Sequence, residues 1–304
     1  MKLGTRNTPD NPLDERDEDP EIDESYLVHV PRVERILEEH GTLEVPAIIV
    51  DRLSALGIPN LHGESHLGHS ETLTDMTEEL IEALGRESRL RRVDPSMRDI
   101  LVTSAPLHDI GKTGPKMSIN PNPVPFIKLY NVNFPEGTPQ KMKFKTALIK
   151  AVAMGAITPD ERFYIEKVLK EYGIDTDRIF LRTFYNLHSL FTYDILREGG
   201  MREEIAAAAA GHHLKRGVKP DGYSFRDLSE TGRFLEPLDE LAAMVRQNNG
   251  RTIRMSSRDR IAAVYKGFEE LQRPISTHYC DLMRASIAHG VLNTIVEKHP
   301  HQKP

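Results

Sequence analysis

The hexapeptide Leu107-His108-Asp109-Ile110-Gly111-Lys112 sets an imidazole beside a carboxylate, with an ammonium group one turn further on. Residues three and four apart are neighbours on a helix surface, so a helical segment would bring these side chains to one place. Imidazole nitrogen and carboxylate oxygen are both metal donors. The two oxygens of Asp109 allow it to bridge two ions, and Lys112 can sit beside an anion bound to them. One such pair is common on protein surfaces, so its weight comes from the other histidines. His69 lies upstream, and His188 lies in Asn186-Leu187-His188-Ser189-Leu190-Phe191. His212 and His213 follow an alanine run and Gly211, and Asp259 lies in Ser257-Arg258-Asp259-Arg260-Ile261. Each falls in an apolar, helix-patterned context. A buried polar group costs about 1–3 kcal/mol unless it is satisfied. Several helices that each turn an imidazole or carboxylate inward therefore need a shared partner, and a metal ion supplies one.

In this order of histidines and aspartates the chain resembles the HD-domain superfamily, and within it the HD-GYP-like branch, over roughly residues 60–290. The match rests on Leu107–Lys112, on the His212-His213 pair 24 residues after His188, and on the segment carrying Asp259. Leu214 stands where the family has a glutamate, and Asp221-Gly222-Tyr223-Ser224 stands where it has Gly-Tyr-Pro. Ser65 holds the position of the glutamate found in three-metal members, which favours two ions here. The resemblance implies an all-α HD-domain bundle holding two divalent metals, iron or manganese. One ion would be held by His69, His108, Asp109 and Asp259, the other by Asp109, His188, His212 and His213. It also implies hydrolysis of a phosphate ester or phosphodiester, of the nucleotide or cyclic-dinucleotide type, by water activated between the ions. Lys112 and Arg216 would then meet the substrate phosphate, with Asp109 and Lys112 as the catalytic pair. Two other readings accompany it: a di-iron oxygenase similar to inositol oxygenase, and a noncatalytic metal-binding sensor.

Composition narrows the setting. The chain has 304 residues, 38% hydrophobic and 28% charged, with a formal net charge of −6. That charge disfavours nonspecific nucleic-acid binding. Cys280 is the single cysteine, so no intramolecular disulfide framework exists and a reducing, cytoplasmic location is expected. No apolar run approaches the roughly 20 residues of a membrane span. A small phosphate-containing substrate is the expected partner, and the oligomeric state stays open.

Elements must position these side chains. Residues 1–25 contain nine Asp or Glu between positions 10 and 24, too polar a stretch to offset ordering entropy, so a disordered acidic leader is expected. Residues 26–298 read as one helical domain, followed by a tail at 299–304. Helices are expected from Tyr26, at about 44–56, from Ser70 to Gly85, at 96–111, at 141–171 with a start at Thr158-Pro159, at 177–198 and at 201–213. Further helices are expected near 237–247, after Ser257, and at about 276–297. Between them, residues 113–140 hold six prolines from 115 to 139 and read as an irregular insertion or lid over the site. His66, one turn before His69, is the weaker candidate for a ligand or substrate contact.

Overall fold

The computed structural model describes residues 24–86 apart from five positions between 41 and 64, then 95–134 and 141–213, five positions from 235 to 242, and 289–298. Every regular element among them is helical: α1 Val30–Glu39, α2 Ala47–Ser54, α3 His66–Arg86, α4 Pro95–Leu107, α5 Val124–Tyr130, α6 Phe144–Ala153, α7 Pro159–Glu171, α8 Leu181–Glu198, α9 Glu203–Ala210 and α10 Val291–Lys298. The β structure among the described residues is a single antiparallel bridge between Lys143 and Phe180. Among the described residues, no helix is long and apolar enough to cross a membrane. The all-α bundle expected from the sequence is therefore what the chain forms.

The bundle is built around α8. Its apolar stripe of Leu181, Phe184, Phe191 and Ile195 is fully buried, and Phe184 stacks on Phe144 of α6 and Tyr130 of α5 at 4.5 and 4.7 Å between ring centroids. This aromatic floor lies one turn before His188 on the same helix. On the other side α9 packs against α8 and α4. Its run of buried alanines, 206–210, permits that close approach, and Ser104 of α4 donates to the Ile205 carbonyl at 3.2 Å. In turn α4 packs on α3, and α10 packs on α3 as well.

The insertion departs from expectation. Val124–Tyr130 is a helix, with Pro125 in its first turn, where a missing N–H costs no hydrogen bond. Val124, Phe126, Ile127 and Leu129 are fully or almost fully buried. The described part of the insertion is thus not wholly irregular, and its helix packs into the core. Lys128 ties it to Glu161 of α7 at 2.6 Å, and that same Glu161 closes a capping box with Thr158.

The stretch just after the histidine–aspartate pair is pinned from several helices. Arg52 of α2 is buried and donates to Thr113 Oγ1, the Asn120 carbonyl, the Thr113 carbonyl and the Pro115 carbonyl at 2.6–3.0 Å. Burial lowers its pKa to about 10, and neutral acceptors carry most of its solvation. From the end of α8, Glu198 accepts from the backbone N–H groups of Met117 and Ser118. Tyr164 of α7 donates to Asn120 Oδ1 at 2.8 Å.

Candidate metal centre

Pro106 lies in the last turn of α4, which ends at Leu107. A proline inside a helix removes a hydrogen bond and crowds the preceding turn. The α-helix ends just beyond Pro106, at Leu107, and the chain passes through His108 and Asp109 into a 3₁₀ turn, Ile110–Thr113. The expectation that 108–112 is continuous helix is corrected by this break. The pair sits at a helix end, where His108 Nδ1 donates to the Ala105 carbonyl at 2.7 Å. At the end of α9, His212 Nδ1 donates likewise to the Ala209 carbonyl at 2.6 Å. In mid-helix, His188 Nδ1 donates to the Tyr185 carbonyl at 2.5 Å.

The same three-residue hydrogen bond thus recurs at three histidines. A carbonyl oxygen only accepts, so Nδ1 carries the proton and Nε2 is the electron-pair donor of each neutral ring. All three Nε2 atoms face Asp109. Its Oδ1 lies 3.6 Å from His188 Nε2 and 3.7 Å from His212 Nε2. Its Oδ2 lies 3.5 Å from His108 Nε2 and 2.5 Å from Lys112 Nζ. Each carboxylate oxygen therefore serves its own group of rings.

A second carboxylate completes the first group. Asp239, on helical residues near 235–242, is buried, and its Oδ1 lies 2.6 Å from His69 Nε2 and 3.4 Å from His108 Nε2. Its Oδ2 lies 3.8 Å from His213 Nε2. Two sets of three ligand atoms lie mutually within 4.8 Å: His69, His108 and Asp109, and His188, His212 and His213.

The arrangement fits metal ions. Two donors each roughly 2.1 Å from one ion are about 3.0–3.4 Å apart at ordinary coordination angles, close to the spacings found. His108 Nε2 is fully buried and makes no hydrogen bond, a donor aimed into the group without a conventional partner. His188 Nε2 and His212 Nε2 are 2.9 Å apart. Two lone pairs at that distance repel unless they share a proton or a metal ion. The donors are imidazole and carboxylate, with no thiolate among them, a set that suits first-row metals such as Mn, Fe or Zn.

Electrostatics agree. Burial, aided by His213 and His212, holds His188 well below its usual pKa. Burial also lowers His69, although Asp239 opposes it, and brings His213 to about 3. These rings are neutral donors. Burial pulls His108 down too, but Asp109 and Asp239 outweigh it and raise its pKa, the mark of a site that wants positive charge at Nε2. Burial pushes Asp109 up, yet Lys112, His108 and His212 hold it well below the carboxylate range. Asp239 is held there against burial by His108 and His69. Among the described residues, the carboxylates of Asp109 and Asp239 and the ammonium of Lys112 share this buried site.

Of the residues expected from sequence, His69, His108, Asp109, Lys112, His188, His212 and His213 come together. Asp259 and Arg216 lie outside the described residues. His66 sits at the edge, its Nδ1 3.2 Å from Lys112 Nζ and 4.0 Å from Asp109 Oδ2. Asp239 was missed as a ligand. Its signal was a carboxylate between Leu235, Leu238 and Ala242, the apolar stripe of a short helix, and all three are buried. The side chains of His213, His66 and Lys112 remain 33, 22 and 17% accessible. The chain matches no protein-family model, and neither a curated protein nor a solved structure matches it.

Proposed function

We propose that this protein is a metal-dependent hydrolase of phosphate esters or phosphodiesters that uses two divalent ions, manganese or iron. The observation that carries the reading is Asp109, whose two buried oxygens face two separate groups of histidines while Lys112 stands against one of them. His69, His108, Asp239 and Asp109 Oδ2 would hold one ion. His188, His212, His213 and Asp109 Oδ1 would hold the other. The resemblance to HD-domain enzymes, read from the same histidines and Asp109, supports the assignment.

When bound, a pair of ions lowers the pKa of water and polarises phosphoryl oxygens. The chain's own residues do the rest. The i−3 carbonyls of Ala105, Tyr185 and Ala209 fix the tautomer and the aim of His108, His188 and His212, as outer partners of metal ligands do. Lys112 offsets charge that develops on the phosphoryl oxygens. The buried floor of α8 excludes bulk water, and substrate enters from the side of His213, His66 and Lys112. Charge favours an anionic substrate. Two dications outweigh the two carboxylates of Asp109 and Asp239, so the loaded site carries positive charge that an anionic phosphate ester offsets and a neutral polyol does not.

The test is a panel of phosphomonoesters, phosphodiesters and cyclic dinucleotides with the Mn²⁺- or Fe²⁺-loaded full chain. Lys112→Ala keeps both metals and lowers kcat by about 10²–10³-fold, the scale of losing one preorganised charge. Asp109→Ala loses metal and activity together. A metal-loaded wild type that hydrolyses nothing in the panel, yet consumes O₂ with a polyol or phosphonate, overturns the hydrolase reading in favour of an oxygenase.

A further inference from the structure

We infer that Thr192 is a positioning residue of the metal centre, a hydroxyl clip that locks the His108–Asp109 turn in register with His188. Thr192 is fully buried on α8, one turn beyond His188. Its hydroxyl donates to the His108 carbonyl at 2.9 Å and accepts from the Gly111 N–H at 3.0 Å. One side chain thereby grips the backbone on both sides of Asp109. The grip falls where the chain has left α4, so the His108 carbonyl is satisfied from another helix. It fixes the peptide planes that aim both the imidazole and the carboxylate.

Close approach makes this clip specific. A Cβ at Gly111 would lie 1.9 Å from the His188 carbonyl oxygen, 2.5 Å from Thr192 N and 2.7 Å from Thr192 Oγ1. The turn is thus seated on the very helical turn that joins His188 to Thr192. Ligands of one group, His108 and Asp109, and a ligand of the other, His188, are held by one contact of backbone, glycine and hydroxyl. Both bonds join the turn to the helix carrying His188. Both hydrogen bonds of the Thr192 hydroxyl run to backbone groups, so it acts on the aim of the ligands.

This inference rests on the metal-binding part of the proposed function and not on the reaction. The experiment compares wild type, Thr192→Val and Thr192→Ser as full chains. Mn²⁺ affinity is measured by chelator competition, Mn²⁺ geometry by electron paramagnetic resonance, and metal-free thermal stability alongside. Valine keeps shape and removes the hydroxyl; serine keeps the hydroxyl. Thr192→Val should remain folded without metal, bind Mn²⁺ about ten- to hundredfold more weakly, and give a changed Mn²⁺ spectrum. Thr192→Ser should restore both affinity and spectrum. Wild-type affinity and spectrum in Thr192→Val overturn the inference, as does a failure of Thr192→Ser to restore them. A Thr192→Val chain that does not fold without metal also overturns it, because the hydroxyl would then hold the fold and not the ligands. Wild type that binds no Mn²⁺ or Fe²⁺ sinks the metal reading itself, a distinct result.

Discussion

Gly111→Ala isolates the closest contact in the centre. Gly111 does not have a positive φ, so its backbone is open to alanine, and the substitution alone would stabilise by about 0.4–1 kcal/mol through the unfolded chain. Against that stands a Cβ 1.9 Å from the His188 carbonyl oxygen. Carbon and carbonyl oxygen normally come no nearer than about 3.3 Å, so the turn and α8 must part by roughly 1.4 Å. The obstructing atoms are helix backbone and cannot rotate away. Overpacking of this kind costs about 1–3 kcal/mol, which exceeds the entropic gain. Metal-free Gly111→Ala should therefore have a lower urea midpoint than wild type. A shift above 1 Å in the turn carrying His108 and Asp109 should also lower turnover about 100-fold. Urea unfolding after chelator treatment and kcat with Mn²⁺ on the best phosphate ester measure the two effects. A variant with the wild-type midpoint or higher and undiminished kcat would show that the turn is not seated on α8 as described.

Asp239→Asn keeps the shape but removes the charge between His69 and His108, so metal affinity should fall at least about tenfold; unchanged Mn²⁺ competition would remove Asp239 from the ligand set. Acidification should weaken the chelator-treated protein. His69, His188 and His213 have pKa values lowered mainly by burial, so the unfolded chain binds more protons below about 6.5, and their contribution is full above that pH and lost beneath it. His108, with a raised pKa, opposes this in part, whereas Asp109 and Asp239 keep their contribution until pH falls below the ordinary carboxylate range. A urea midpoint that rises from pH 7.5 to pH 5.5 would mean that the rings are not held neutral.

Period and side-chain type made the helices legible. The stripe that marks α8, Phe184 and His188 with Phe191 and Ile195, is the stripe that is buried, and Thr158-Pro159 starts α7 as its capping box requires. Ligand residues on such stripes could be read because an imidazole facing inward is costly without a partner. The helix break at His108 was signalled by Pro106, yet a proline alone does not say whether a helix bends or ends. The start of α3 at His66 instead of Ser70 follows Ser65, a residue type favoured at helix N-caps, but the apolar stripe that makes the helix legible begins only at Leu73. The insertion misled because prolines count against helix by propensity, whereas Pro125 stands in a first turn and Phe126 and Tyr130 reach the aromatic floor under His188. Asp239 was obscured for a different reason. Its role depends on contact with His69, 170 residues away, and no local pattern encodes a partner that distant.

Metal stoichiometry of the full chain tests the account most directly. Protein purified without chelator, loaded anaerobically with Fe²⁺ or with Mn²⁺ and freed of excess metal by gel filtration, should hold two ions per chain by elemental analysis. His188→Ala, which removes a donor facing Asp109 Oδ1, should lose one of the two and keep the other beside His69, His108 and Asp239. Wild-type chain that retains no ion would contradict the account, as would a His188→Ala chain that retains both.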